Sequence, residues 1–399
     1  MQYDLVFEGG GAKGMVFVGA MQAFEARGHS HGRLLGASAG AITAALLAAG
    51  YGSGEMLEAL AEKDENGRSV FASFMGEPPA PDPQELKTSA VRDLLEAIDL
   101  PLVPEALETR LDDRIVEWLG SHTKGRHLLS FVDKGGWFSA DNFLAWLRKR
   151  LDSGTLGGRA RDFSRMTLAE FFAATGKDLT LIASDTTGGR MLALNHNTAP
   201  GLPVVYAVRM SMSIPLLWQE VTWQKEWGTY RGQDISGHAI VDGGLLSNFP
   251  IELFLSDLKP VTDLMGPRTS RYVIGLLIDE SRGVPGAESG GQTGGFDLSG
   301  LETVKRISSL VDTMLSARDK MVIDAFESMV VRLPARGFGT TEFDMTEERK
   351  GLLVGAGKDE MEKYFNRQPS AAAVSFAVEA ADDGEVTEKA NKLASRLLE

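Results

Sequence analysis

The 399-residue chain reads as an α/β protein, a three-layer α/β/α arrangement around a mostly parallel central sheet, with a helical insertion. Three observations predict this. The first 50 residues alternate strand, glycine turn, helix, strand, turn, helix, the pattern of a parallel sheet covered on both faces. Apolar strand-like runs resume after residue 178. Between about 55 and 160 the texture changes to charged amphipathic helices separated by proline loops such as GEPPAPDP (76–83), a cap beside the sheet.

Tyr3 to Phe7 is the first predicted strand, and it feeds Gly9-Gly10-Gly11-Ala12-Lys13-Gly14. A helix from Met15 to Arg27 stops at Gly28, as a C-terminal glycine predicts. A short strand, Arg33 to Ala37, precedes an all-apolar helix from Ala39 to Ala49 closed by Gly50. The stretch around it, LLGASAGAITAALLAAGYG (34–52), is mostly Ala and Gly interrupted by Ser and Thr, so it suits a helix buried on all sides better than a membrane span. In the insertion, SADNFLAWLRKRL (139–151) sets Phe143, Leu144, Trp146, Leu147 and Leu151 at helical spacing. The stripe is either core packing or a lipid-facing surface rimmed by Arg148, Lys149 and Arg150. Further strands are predicted at 178–185, 190–195, 238–244, 271–280 and 328–335, a mobile Gly-rich loop at 282–300, and a long helix from Leu301 to Val322. One domain is expected over 3–365, followed by an acidic helical tail over 368–399.

A formal net charge of -14 argues against nucleic acid as a partner, because phosphate binding needs a basic surface. The absence of cysteine excludes disulfides, thiolate catalysis and Cys-based zinc sites. No basic leader precedes the first strand, so a cytoplasmic protein able to work at a membrane surface is expected, with delivery into another cell left open.

Gly9, Gly11 and Gly14 fit the G-x-G-x-x-G of a dinucleotide site, but no acid lies between Glu25 and Glu55 to hold a ribose. A P-loop fails too, because Met15 follows Gly14 where Lys-Ser/Thr is needed. A tight turn without chemistry is the plain alternative. Gly36-Ala37-Ser38-Ala39-Gly40 has the form of a nucleophile elbow, G-x-S-x-G, between a strand and a helix. Neighbouring parallel strands would set the two turns side by side, so that Gly10 and Gly11 amides face the oxygen formed when Ser38 attacks an ester.

Ser38 then needs a base. A Ser38–Asp185–His238 triad has the chain order of an α/β-hydrolase. The stronger candidate is Asp242 in HAIVDGGLLSNFP, which ends an apolar strand and is followed by Gly243 and Gly244. No histidine follows Asp242, so it would act on Ser38 directly, from a partly desolvated site that raises its basicity. A turn-capping role for Asp242 stands beside that reading.

Together GGGAKG, GASAG and DGG resemble the patatin-like phospholipase family. The likeness continues through ASDTTGG (183–189), VRMSMSIPLLW (208–218), NFP (248–250) and GTTEFDMTEERKGLLVGAG (339–357). It implies a Ser38–Asp242 dyad, an oxyanion hole within Gly9, Gly10, Gly11, Ala12, Lys13 and Gly14, and hydrolysis of lipid acyl esters without metal or cofactor. Lys13 stands where Arg is common in the family and Ala37 where Thr is common; neither change removes a catalytic group. Asp185, Arg209, Ser211, Ser213 and Asn248 are read as scaffold. The expected partners are a phospholipid or other acyl ester and a membrane surface, with any activator unidentified. Trp218, Trp223 and Trp227 form either an interfacial cluster or a packed hairpin. Rival readings are a soluble esterase, thioesterase or acyltransferase on the same dyad, and a silent lipid-binding protein.

Overall fold

The computed structural model describes residues 1–96, 105–268, 270, 272–287, 322, 324–367 and 383–398, the side chains of 96, 105–112 and 383 excepted. Most of the Gly-rich loop and of the helix predicted from Leu301 lies outside the described residues.

The first strand, β1 (Gln2–Phe7), leads through the glycine turn into α1 (Val16–Ala26). Then β2 (Ser30–Ala37) leads through the serine turn into α2 (Ala39–Ala48). The main sheet has eight strands, and Val330–Arg336, Tyr272–Gly283, β1, β2 and Leu179–Asp185 pair in parallel, in that order. Antiparallel strands Arg190–Leu194, Ala239–Asp242 and Val221–Thr222 complete it. The mostly parallel α/β architecture is as the sequence predicts.

Side-chain alternation divides the interior into two layers. Leu5 and Phe7 of β1 join a large apolar cluster with α1, α2 and the insertion, while Val6 joins a second cluster with Phe249–Leu255. Helix α2 is buried nearly all round, which explains its lack of a polar face. The tail helix Asp383–Leu398 packs Ala390, Ala394 and Leu397 into the second cluster, and Asn391 bonds Ser256 and Asp257.

The insertion packs against the first layer. Phe143, Trp146, Leu147 and Leu151 are buried, so the stripe on Asp141–Leu151 is core packing, each such side chain worth about 1.5–3 kcal/mol. Trp218, Trp223 and Trp227 are buried as well, which decides for the packed hairpin over an interfacial cluster. The Trp218 indole donates to the Phe74 carbonyl at 3.0 Å. No helix among the described residues is long and apolar enough to cross a membrane.

Candidate active site

Ser38 follows the last residue of β2 and takes φ 49°, ψ -119°, a region that costs a non-glycine residue about 1–3 kcal/mol. The strain holds because the flanking glycines let backbones meet. A methyl group on Gly36 would collide with the Gly40 carbonyl, and one on Gly40 with the carbonyls of Phe7 and Glu8. Gly40 thus seats the start of α2 on the end of β1, beside the glycine turn. The Ser38 hydroxyl makes no capping bond to its own helix and lines a cavity instead.

Asp242 reaches the same place from the opposite direction. Strand Leu179–Asp185 pairs Ala37 of β2 with its Ile182, and the antiparallel strand pairs Asp242 with the next residue, Ala183. The two strands therefore end at the same level on either side of that strand, which brings residues 38 and 242 to one region. A spacer fixes the gap between them. The Ser38 amide is shared between the carbonyl and Oγ of Ser211, each at 3.2 Å, and the Asp242 amide donates to the Ser213 carbonyl at 2.8 Å. Buried Arg209 donates to Ser213 Oγ and to the Gln219 carbonyl, and Ser211 Oγ donates to the Ile182 carbonyl.

Asp242 is 1% exposed. Its Oδ1 accepts the Gly244 amide at 2.7 Å, so the turn-capping reading holds for one oxygen. Oδ2 is buried and makes no hydrogen bond of standard geometry. Burial pushes the carboxyl up to about 7, against the opposing pulls of the Ser38 hydroxyl and the Gly244 amide. A carboxylate in that range is a far better base for an alcohol than one at its ordinary value.

In the glycine turn, three amides are committed: Gly9 to the Asn248 carbonyl at 3.3 Å, Ala12 to Thr340 at 2.8 Å and Lys13 to Gly10 at 3.2 Å. The Gly10 and Gly11 amides, and that of Ala39 at the start of α2, donate to no acceptor among the described residues. Gly11 has φ 55°, and a methyl there would strike the Thr340 carbonyl. The Lys13 ammonium, 4% exposed, pairs with Glu280 and ties the turn to strand Tyr272–Gly283.

A cavity of about 70 Å3 opens above Ser38, Gly11 and Gly14. It follows α2 past Ala39, Ile42, Thr43 and Leu46, a rise of about 10 Å along the axis. Met56, Leu60, Phe71, Phe74 and Trp146 of the insertion, with Phe343 of the closing segment, complete an apolar wall. Sequence reasoning did not find this role for the insertion, since aromatic residues at helical spacing look the same whether they fill a core or line a slot. Arg209, Ser211, Ser213 and Asn248 read as scaffold, and only the folded chain shows Ser211, Ser213 and Asn248 touching the backbone of Ser38, Asp242 and Gly9, with Arg209 holding Ser213.

His238 does not join Ser38. It precedes Asp242 by four residues, about 13 Å along an extended strand, and its Nδ1 faces Asp185 Oδ2 at 2.9 Å. Asp185 also accepts from Gly188 at 2.7 Å and Arg190 at 3.2 Å, and these donors hold its carboxyl below the usual carboxylate value although burial works the other way. Among the described residues, no group of three or more His, Asp or Glu side chains is placed to hold a metal ion.

The chain matches the model of the patatin-like phospholipase family over residues 5–255 and belongs to that family. It is 27% identical over 376 residues to the uncharacterized protein YqhO of Bacillus subtilis, covering 92% of this chain and 99% of that one. A shorter stretch of 122 residues is 25% identical to a viral protein named "Probable lipid hydrolase 463L", from Invertebrate iridescent virus 6, covering 30% of this chain and 36% of that one. Among solved structures, VipD from Legionella pneumophila aligns with a TM-score of 0.43 at 17% identity, over 91% of this chain and 66% of VipD. The type III effector ExoU aligns at 0.37 and 17% identity, over 92% of this chain and 53% of ExoU.

Proposed function

We propose that this protein is a lipid acyl hydrolase of the phospholipase A or lysophospholipase type, working through a Ser38–Asp242 dyad. The observation that carries the reading is the buried Asp242, its Oδ2 without a hydrogen-bond partner among the described residues, next to a Ser38 that lines an apolar cavity. Ser38 Oγ attacks the ester carbonyl while Asp242 takes its proton. The free amides of Gly10, Gly11 and Ala39 receive the oxyanion, where losing one donor typically costs about 10²–10³ in turnover. The alcohol leaves with the proton, and water then releases the fatty acid from the acyl-enzyme. Substrate reaches the cavity from a membrane surface, and no metal or cofactor takes part.

The test is fatty-acid release from mixed phospholipid vesicles and from soluble esters, with chelator present throughout. A fluorophosphonate probe is expected to label Ser38 and to stop both activities together; release that continues with Ser38 fully labelled rejects the dyad. His238→Ala is expected to keep the rate within about twofold, since its partner is Asp185; a loss near that of a general base would restore the triad.

The cavity also sets an expectation for the acyl chain. With one water needing about 10–15 Å3 of such space, the slot holds only a few water-sized groups, and its aromatic wall comes from the insertion. Phe74→Ala is expected to shift the preferred ester in a chain-length series toward longer acyl groups. An unchanged profile would show that the chain lies elsewhere.

A further inference from the structure

We propose that Asn248 positions the water that releases the fatty acid, and thereby favours hydrolysis over transfer of the acyl group to an alcohol. The inference rests on the acyl-enzyme reading above. Asn248 is 6% exposed, and its backbone and side chain bracket Gly9: the carbonyl accepts the Gly9 amide at 3.3 Å and Nδ2 donates to the Gly9 carbonyl at 3.1 Å. Nδ2 also faces Glu8 Oε1 at 3.5 Å. Both neighbours of Nδ2 are acceptors, so the amide cannot be turned round without setting oxygen against oxygen. Oδ1 is left buried with no hydrogen-bond partner.

That oxygen lies next to the nucleophile. A Cβ on Gly9 would collide with Asn248 Oδ1 and stand 2.8 Å from Ser38 Cβ, so the two are neighbours across a bare glycine. Asp242 Oδ2, also without a partner, approaches Ser38 as well. Two buried acceptors thus lie near Ser38, whose hydroxyl has a single proton to give. A buried acceptor without a donor is costly, and a water molecule carries two protons.

Both oxygens are shut from solvent while Ser38 is free; space opens when the leaving alcohol departs with the proton that Asp242 took from Ser38. Water takes its place, with one hydrogen toward Asp242 Oδ2 and the other toward Asn248 Oδ1. Its oxygen bonds to the acyl carbon, the first proton passes to Asp242, and the carbonyl pair moves onto the oxyanion. Collapse restores the carbonyl, breaks the bond from carbon to Ser38 Oγ and returns the proton to Oγ, leaving a free fatty acid. An alcohol in the same place has no second hydrogen for Asn248.

The test uses the full chain, a soluble acyl ester and a fixed concentration of methanol, and reads the ratio of methyl ester to free acid. Asn248→Ser removes the amide oxygen next to Ser38 and leaves only a short hydroxyl close to the backbone. It is expected to raise that ratio about three- to tenfold, the worth of one hydrogen bond. An unchanged ratio, with both products falling together, overturns the inference and leaves Asn248 a clamp on the glycine turn. For Asn248→Ala, or any variant too slow for product analysis, intact mass decides: acylated Ser38 accumulating supports the inference, and unacylated protein overturns it. A wild-type chain whose Ser38 takes no acyl group defeats the hydrolase reading itself, a separate result seen before any variant is made.

Discussion

Ser38→Ala and Asp242→Asn are each expected to lower turnover by about 10⁴-fold or more, and the double variant by no more than the worse single one, because nucleophile and base act as a unit. The histidine that the chain order offers as a base, His238, is engaged with Asp185 instead. Asparagine preserves the Oδ1 bond to Gly244 and the shape of the turn, and removes only the proton acceptor. Steady-state release of fatty acid from a soluble ester measures the effect without requiring binding to vesicles. Residual turnover in Asp242→Asn within tenfold of wild type would mean that another group takes the Ser38 proton.

The same substitution carries a pH and stability signature. Asp242 must be ionised to act, and burial holds its carboxyl up at about 7, so kcat/KM is expected to fall about tenfold per unit below that pH. The folded value lies above the unfolded one, so the stability tied to this group is fully present below about pH 4 and is lost as pH rises through about 7. At pH 8 the folded protein holds an ionised buried carboxylate at a cost on the order of 2–4 kcal/mol. Asp242→Asn is therefore expected to raise Tm at pH 8 and to do so much less at pH 5. Thermal melts of both proteins at the two pH values check the sign; a Tm lowered at pH 8 would place the carboxylate in a stabilising role.

The sheet and its two turns were legible because their signals are local. Gly28 and Gly50 mark helix ends and take positive φ, the strand before Ser38 ends where predicted though it starts three residues earlier, and the apolar helix after it ends one residue short of its predicted bound. The nearness of Ser38 and Asp242 was expected only from the order of motifs along the chain. Its physical cause, two strands ending at one level on either side of Ile182 and Ala183, is a matter of strand pairing that no local pattern encodes. The same limit hid the lining of the apolar cavity. Phe74 and Trp146 come from separate helical segments and meet only in the fold, with ring centroids 5.3 Å apart. The tail read as a separate helix, yet its alanine face fits the second core cluster, because small residues carry little periodic signal of the surface they cover.

Gly11→Ala is expected to lower turnover about 10²–10³-fold with a small change in KM, whereas Gly10→Ala should cost only a few-fold. The two glycines are adjacent and their amides are equally free, but the room around them differs. Gly10 has φ -179°, an extended conformation any residue adopts, and a methyl there meets only the terminal methyl of Ile278, which can move. Gly11 has φ 55°, and its methyl would meet the carbonyl of Thr340, backbone that also holds the Ala12 amide at 2.8 Å. Relief of that clash must shift the turn, and a shift of a few tenths of an ångström misaims the donors just where charge develops. Because the donors act on the transition state and little on the ground state, the loss falls in kcat. A fluorophosphonate, whose phosphoryl oxygen needs the same donors, should label Gly11→Ala slowly and Gly10→Ala nearly as fast as wild type. Equal labelling of all three proteins would move the oxyanion away from this turn and leave its glycines with the packing of α1 and α2 as their only task.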